Sequence, residues 1–150
     1  MRKMVFGKKL SRGKKGREAL LRSLARAVIV SGKVTTTKAK AKAIVGQIDK
    51  LVTLAKKGTL DSRRRVLAYL GNDREASQRL VNVLAPSFLG RNSGYTRVIL
   101  LGPRKGDNAK IARLEWVDEV KEVKKEEKKV EKKVKTKDIK KTVKKEAKKK

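Results

Sequence analysis

The chain has 150 residues, of which 44 are Lys or Arg and 15 are Asp or Glu, so its formal net charge is +29. The many positive charges repel one another, so the chain favours a polyanionic partner. Nucleic acid is preferred over a membrane because only 3% of the residues are aromatic. Cysteine and histidine are absent, which excludes thiolate and imidazole metal sites, disulfides and histidine-dependent nucleophiles.

Other partners and locations are excluded at the same level. No apolar run approaches the roughly 20 residues that a membrane-spanning helix needs. No apolar segment typical of a signal peptide follows the basic N-terminus. We therefore expect a cytoplasmic protein that is not an enzyme, with no cofactor, no membrane contact and no small-molecule substrate.

A basic arm is predicted at the N-terminus, over residues 1–15. The stretch 1–17 holds eight basic residues and no acid, and glycine and serine are interleaved with them. This composition is typical of a segment that stays unfolded until it meets RNA. The alternative is an ordinary frayed terminus.

Residues 16–118 are expected to carry the fold, beginning with two amphipathic helices. The first is predicted over 16–31 from its apolar spacing. Its predicted core face consists of Leu20, Leu24, Ala27, Val28 and Ser31. The second is predicted to be capped by Thr36 or Thr37 and to end at Gly58. Its predicted apolar stripe consists of Ala41, Ile44, Val45, Ile48, Leu51, Val52 and Ala55.

Two shorter helices are predicted next. One runs over 60–70. The other runs over 73–84, is opened by Asn72 and is stopped by Pro86.

The last part of this zone changes to the period of a β-strand. Residues 95–101 and 109–117 are predicted strands, and 102–108 between them is rich in turn-forming residues. A short β-favouring stretch at 33–35 is expected to join this hairpin as an edge strand. The predicted fold is therefore α+β, with about four helices packed on a small sheet.

The C-terminal extension, residues 119–150, has a different composition. It holds 16 Lys and seven acids but no Arg, Gly, Pro or aromatic residue. Its apolar residues are too few to dock a helix firmly, so we expect a mobile or marginally helical tail that adds diffuse attraction.

Three sites in the body carry competing interpretations. Asp107 lies in a Gly-rich turn without a second carboxylate, so we interpret it as a turn cap and not as a catalytic or metal residue. The run Arg63–Arg65 spans nearly a helical turn and either contacts phosphate or is solvated. In the loop before the first hairpin strand, we favour a phosphate contact for Arg91. We favour core packing over base stacking for Tyr95.

The most specific motifs lie around that loop. Residues 84–99 read Leu-Ala-Pro-Ser-Phe-Leu-Gly-Arg-Asn-Ser-Gly-Tyr-Thr-Arg-Val-Ile, and 106–109 read Gly-Asp-Asn-Ala. With both elements at this separation, the chain over about residues 1–118 resembles the bacterial large-subunit ribosomal protein L17 family. Further matches are Thr36-Thr37, Lys40-Ala41-Lys42 and Thr53-Leu54-Ala55-Lys56. Lys3 and Gly16 stand where the family usually has histidine.

This resemblance implies a structural constituent of the large ribosomal subunit, near the nascent-chain exit region. Its partners would be large-subunit ribosomal RNA and neighbouring ribosomal proteins. It would stabilise the RNA and help subunit assembly by neutralising phosphates. The expected RNA-binding residues are Arg2, Lys3, Lys8, Lys9, Arg12, Lys14, Lys15, Arg17, Arg22, Lys38, Lys40, Arg63, Arg64, Arg91, Arg97, Arg104 and Lys105.

Two other functions compete with this one. Composition alone also suits a nucleoid or linker-histone-like DNA-binding protein, but no clear recognition helix is found. An RNA-processing enzyme is disfavoured by the lack of histidine, cysteine and paired carboxylates. Co-sedimentation with large ribosomal subunits would separate the three.

Overall fold

Residues 8–118 are described by the computed structural model, and they alternate helices with three strands. In chain order the elements are α1 (Lys14–Ser31), β1 (Lys33–Thr37), α2 (Lys38–Lys56), α3 (Leu60–Tyr69), α4 (Arg74–Arg79), a π-helical turn (Leu80–Leu84), α5 (Ala85–Ser87), β2 (Thr96–Pro103) and β3 (Lys110–Trp116). Because α4, the π turn and α5 follow one another directly, they form one fourth helix. The predicted α+β fold is confirmed. The predicted tail at 119–150 and the first seven residues of the predicted arm lie outside the described residues.

Helix α1 buries one continuous apolar stripe, but not the predicted one. Its buried residues are Leu21, Leu24, Ala25, Val28 and Ile29. The predicted face shares only Leu24 and Val28 with this set. Both faces obey helical spacing, and the real one is rotated because Leu21 and Ile29 bury more apolar area than Ala27 and Ser31 would.

Helix α2 is the centre of the fold. It packs against α1, α3, the fourth helix and the strands β2 and β3. Its buried residues are Ala41, Ile44, Ile48, Leu51, Val52 and Ala55, which confirms the predicted stripe. Val45 was also predicted there and is partly buried.

The fourth helix differs from the prediction at both ends. Asn72 adopts a left-handed conformation with φ +68° and lies outside the helix. Asp73 is the cap instead, because its carboxylate accepts a hydrogen bond from the Ala76 N–H at 3.2 Å. Pro86 does not stop the helix. The backbone widens into the π turn before it, where the Ala85 N–H donates to the Leu80 carbonyl, and the helix ends at Ser87.

The sheet is antiparallel throughout, with strand order β1-β3-β2. The short strand is therefore an edge strand as predicted, and it extends two residues further, to Thr37. A bulge interrupts the register of β2 and β3 between Leu100 and Gly102. The hairpin strands begin one residue later than predicted, and β2 continues to Pro103.

Alternation along β3 decides which face meets the helices. Ala112, Leu114 and Trp116 are buried, whereas the residues between them are partly exposed. The Trp116 indole N–H donates to the Val28 carbonyl of α1 at 3.1 Å, and its ring lies 5.5 Å from that of Phe88. These contacts fix the sheet on the helices. The pairing of Thr37 with Ile111 brings the start of α2 beside the start of β3.

Candidate nucleic-acid interface

Most of the residues expected to bind RNA lie within the described part of the chain; Arg2 and Lys3 lie outside it. From Lys8 onward the chain makes a turn, in which the Arg12 N–H donates to the Lys9 carbonyl at 3.1 Å, and then enters α1. Lys8, Lys9 and Arg12 are exposed, as are most of the basic residues in the first turn of α1. The entry into α1 therefore presents cations to solvent.

Helices α1 and α2 both begin without the capping side chain or the acid that usually offsets the unpaired N–H groups at a helix start. The Gly13 N-cap of α1 has no side chain, and the Thr37 N-cap of α2 makes no side-chain capping hydrogen bond. No acid lies in the first turn of either helix. Lys14 and Lys38 instead place cations at helix ends that already carry partial positive charge, which is unfavourable in isolation.

Helices α3 and α4 begin in the opposite way. The Thr59 hydroxyl accepts from the Ser62 N–H at 3.2 Å, and Asp73 caps α4. Each helix also has an acid in its first turn, Asp61 and Glu75 respectively. Although α4 also begins with a cation, Arg74, the combination of a basic start with no capping side chain and no acid is found at α1 and α2 and not at α3 or α4.

Four lysines from three chain segments line one concavity at the start of α2. They are Lys8, Lys38, Lys42 and Lys110, and with Thr37 and Ala39 they enclose about 340 Å³. We call this set the lysine concavity. No acid lines it. Lys8 and Lys38 were predicted RNA contacts, whereas Lys42 and Lys110 were not.

The two missed lysines differ in how they could have been found. Lys42 is four residues after Lys38, so helical spacing places both on one side of α2. Lys110 reaches the concavity only through the sheet, since Ile111 pairs with Thr37 across β1 and β3. That register depends on the tertiary fold and leaves no local signal in the sequence.

Arg22 makes contacts within the protein. Its Nε donates to the Tyr69 carbonyl at 2.9 Å, and a Cβ on Gly71 would lie 3.0 Å from its Cδ. The Tyr69 hydroxyl in turn donates to the Gln47 side-chain oxygen at 2.5 Å. Burial raises the pKa of Tyr69, and the charge of Arg22 opposes that rise. Arg22 thus joins α1 to the end of α3, and an RNA contact from it stays a prediction.

Three predicted arginines are paired with carboxylates. Arg91 lies 3.2 Å from Asp118, and Arg97 lies 2.7 Å from Glu115. Arg104 pairs with Asp107. By contrast, the predicted residues without an acidic partner in the described part of the chain include Lys40, Arg63, Arg64 and Lys105. The structure thus divides the predicted set into residues held by carboxylates and residues that are free of them.

Asp107 has the turn role that was predicted for it. Its carboxylate accepts from Arg104 and from the Ala109 N–H, the latter at 3.2 Å. The hydrogen bond from Arg104 is the main cause that lowers the pKa of Asp107 to about 2, and the Ala109 N–H adds to it. The same pairing raises the pKa of Arg104. Within residues 8–118 no group of acids is placed to hold a metal ion.

The loop before β2 is fixed by contacts that the sequence did not indicate. The Lys56 ammonium donates to the Arg91 carbonyl at 2.5 Å, and the Asp49 carboxylate accepts from the Tyr95 N–H at 3.3 Å. Tyr95 is fully buried, and its hydroxyl donates to the Asn92 carbonyl at 2.9 Å. The core-packing interpretation of Tyr95 is therefore confirmed.

No helix within the described range is long and apolar enough to cross a membrane.

Comparison with known proteins identifies a family. A family model described as "Ribosomal protein L17" matches residues 20–117. A "Large ribosomal subunit protein bL17" from Hydrogenobaculum sp. is 48% identical over 119 residues, which are 79% of this chain and all of the relative. Proteins of the same name from Thermodesulfovibrio yellowstonii and Acholeplasma laidlawii are 48% and 44% identical. Those matches cover 83% and 76% of this chain and 93% and 100% of the relatives.

Proposed function

Because this chain belongs to the ribosomal protein L17 family, a family of structural constituents of the ribosome and not of enzymes, we propose that it binds large-subunit ribosomal RNA. The contacts are to phosphates, and they stabilise RNA segments that would otherwise repel each other during subunit assembly. The principal surface consists of the basic segment that enters α1 and the first turn of α2.

One observation carries this proposal. The starts of α1 and α2 lack capping side chains and acids but have cations, whereas α3 and α4 are capped and have acids. A cation at a helix N-terminus disfavours folding unless an anion lies nearby, because the helix dipole and the side chain have the same sign there. RNA phosphates at these two starts would satisfy the backbone N–H groups and offset the repulsion.

Arginines already paired with carboxylates play a smaller part in the proposal. Arg91, Arg97 and Arg104 each hold an acid, so a phosphate that approaches them also meets negative charge. We expect Lys8, Lys38 and the residues near them to contribute more to affinity. This ranking refines the predicted set.

Several finer parts rest on the family alone. They are a position near the nascent-chain exit region, contacts with neighbouring large-subunit proteins, and a cytoplasmic location on the ribosome. We also propose that 1–15 acts as an RNA-binding arm, 16–118 as the body and 119–150 as an electrostatic extension.

Two experiments test the proposal. The protein should co-sediment with large subunits at low and at moderate salt. Its affinity for large-subunit RNA fragments should fall about 10³- to 10⁵-fold between about 50 and 200 mM salt, if about six to ten phosphate contacts form as on DNA. Binding that is nearly independent of salt, or a protein that stays in the unbound fractions, would overturn it.

A further inference from the structure

The lysine concavity adjoins a second groove of different chemistry. Lys38 and Lys110 line both, so they form the boundary between the two. The second groove encloses about 330 Å³, and its other lining residues are Leu100, Gly102, Pro103, Asn108 and Ile111. We call it the hairpin groove. One side of the boundary is thus cationic and the other mainly apolar.

The bulge in the hairpin leaves this groove open. Leu100 pairs with the buried Ala112 and so lies on the face of the sheet that meets the helices, yet 58% of Leu100 is exposed. In the register, Gly102 then opposes Ile111, and Gly102 has no side chain to fill the space. An apolar surface of this kind favours a partner that is itself flat or apolar.

The charges and polar groups at the groove restrict that partner. No acid lines either cavity, and Asp107, next to Asn108, is paired with Arg104. Asn108 has a left-handed φ of +51°, and its backbone N–H donates to the Arg104 carbonyl. Its side-chain amide has no hydrogen-bond partner among the described residues. The site therefore offers cations, an apolar surface and one free amide.

We propose that the two grooves together bind one unpaired nucleotide of RNA. The phosphate lies among the lysines, and the base lies against Leu100, Pro103 and Ile111. The Asn108 amide is available to the edge of the base, where it can both donate and accept. This inference rests on the proposed function and adds a base contact to it. A base inside a duplex cannot reach the groove, because it is stacked and paired.

The charge at the boundary argues for RNA over a protein side chain. A protein partner would have to place an apolar residue beside an acid in order to match Lys38 and Lys110. A nucleotide joins an anion to a flat ring in one unit. Since the same two lysines line both grooves, the two parts of the ligand must be adjacent, as phosphate and base are.

The test uses the full-length protein with two single-stranded probes, followed by fluorescence anisotropy. One is hexaadenylate, and the other is the same backbone with a stable abasic sugar at every position. The wild type should bind hexaadenylate about fivefold more tightly than the abasic strand, which is the low end of what stacking on an aromatic side chain contributes, because the apolar side chains of the groove are aliphatic. Leu100→Ser and Asn108→Gly should each reduce this preference and leave the abasic affinity unchanged. Glycine keeps the left-handed backbone of Asn108 without strain.

The lysine pair should behave differently. In Lys38→Gln/Lys110→Gln both probes should bind more weakly by the same factor. The slope of log affinity against log salt should decrease by about 1.4, because each phosphate contact on a single strand contributes about 0.7. Matched controls are Lys50→Gln/Lys57→Gln, with the same loss of charge on α2 and just beyond its end, and Leu89→Ser, an exposed leucine in another loop. Both controls should keep the base preference.

Two outcomes would overturn the inference: the wild type binds both probes equally, or Leu100→Ser keeps the full preference. If Leu100→Ser keeps the preference and also loses incorporation into large subunits, the groove belongs to a protein neighbour. Loss of all salt-dependent RNA binding would instead contradict the proposed function itself, so the two failures are distinguishable.

Discussion

At the scale of single residues, the structure separates side chains that hold the protein together from those left for a partner. Tyr95 and Asp107 lie in the two most specific motifs, and both make internal contacts. Arg22 and Lys56 are cations whose hydrogen bonds join distant parts of the chain. A motif that identifies a family can therefore be structural even in a strongly basic protein.

Asp107 gives a prediction about pH. Its pKa is lowered to about 2 in the folded protein, so the pairing stabilises the turn above the ordinary carboxyl pKa of about 3.9 and is lost as the pH falls through about 2. A ¹³C NMR titration of the carboxyl carbon should show a midpoint near 2. In Arg104→Ala the midpoint should move toward the ordinary value. A midpoint near 3.9 in the wild type would mean that the ion pair does not form.

Removing the Tyr95 hydroxyl should lower the stability of the protein but leave its RNA affinity unchanged. Tyr95→Phe keeps the ring against Phe88 but removes the hydrogen bond to the Asn92 carbonyl, so it should cost about 1 kcal/mol of unfolding free energy. Tyr95→Ala should cost about 3–5 kcal/mol. Urea unfolding measures both. The RNA affinity of folded Tyr95→Phe should equal that of the wild type, and a fivefold loss would mean that the Tyr95 hydroxyl contributes to RNA binding.

At the scale of elements, sequence periodicity predicted the features that depend on residues close together in the sequence. The α2 stripe and the alternation of β3 were predicted because each spans enough residues to show its period. The π turn before Pro86 was not, since a change from i−4 to i−5 hydrogen bonding has no local signature. The site shows the same division. Lys38 was among the predicted RNA-binding residues, but Lys110 and Asn108 join it only through the sheet register.

Replacing a cation at a basic helix start should have opposite effects on the stability of the protein and on RNA binding. Lys38→Glu places an acid in the first turn of α2, so it should raise the unfolding free energy of the free protein by about 0.3–1 kcal/mol. The same change should weaken RNA binding about tenfold, because a phosphate contact becomes a repulsion. Thermal unfolding and anisotropy measure the two effects. Lys50→Glu, in the middle of α2, is the control and should not stabilise. A destabilised Lys38→Glu protein would argue against the role of the helix dipole.

At the scale of the whole molecule, the positive charge occurs in two chemical forms. All 14 arginines precede residue 119, and the extension 119–150 has lysine alone, partly offset by seven acids. Arginine suits shaped, bidentate phosphate contacts, whereas lysine is a solvated point charge. The body and arm should therefore determine placement on RNA, and the extension should add attraction at a distance.

Truncation tests this division. Removing residues 1–13 leaves every described helix and strand intact, since α1 begins at Lys14, yet it should abolish stable incorporation into large subunits at moderate salt. Removing 121–150 should leave incorporation intact and weaken association mainly at low salt. Both forms should compete with the full-length protein in one assembly reaction, followed by sedimentation. If the form without 121–150 is excluded while the form without 1–13 assembles, the assignment is wrong.

The position of Trp116 has a practical consequence. It is the single tryptophan of the chain, and only 7% of it is exposed where β3 meets α1 and Phe88. Its intrinsic fluorescence should therefore be blue-shifted in the native protein and move to longer wavelength when α1 separates from the sheet. The two residues that hold the indole ring, Val28 and Phe88, do not line the lysine concavity. The emission maximum is thus an intrinsic probe of folding, so stability can be followed during an RNA titration without an added label.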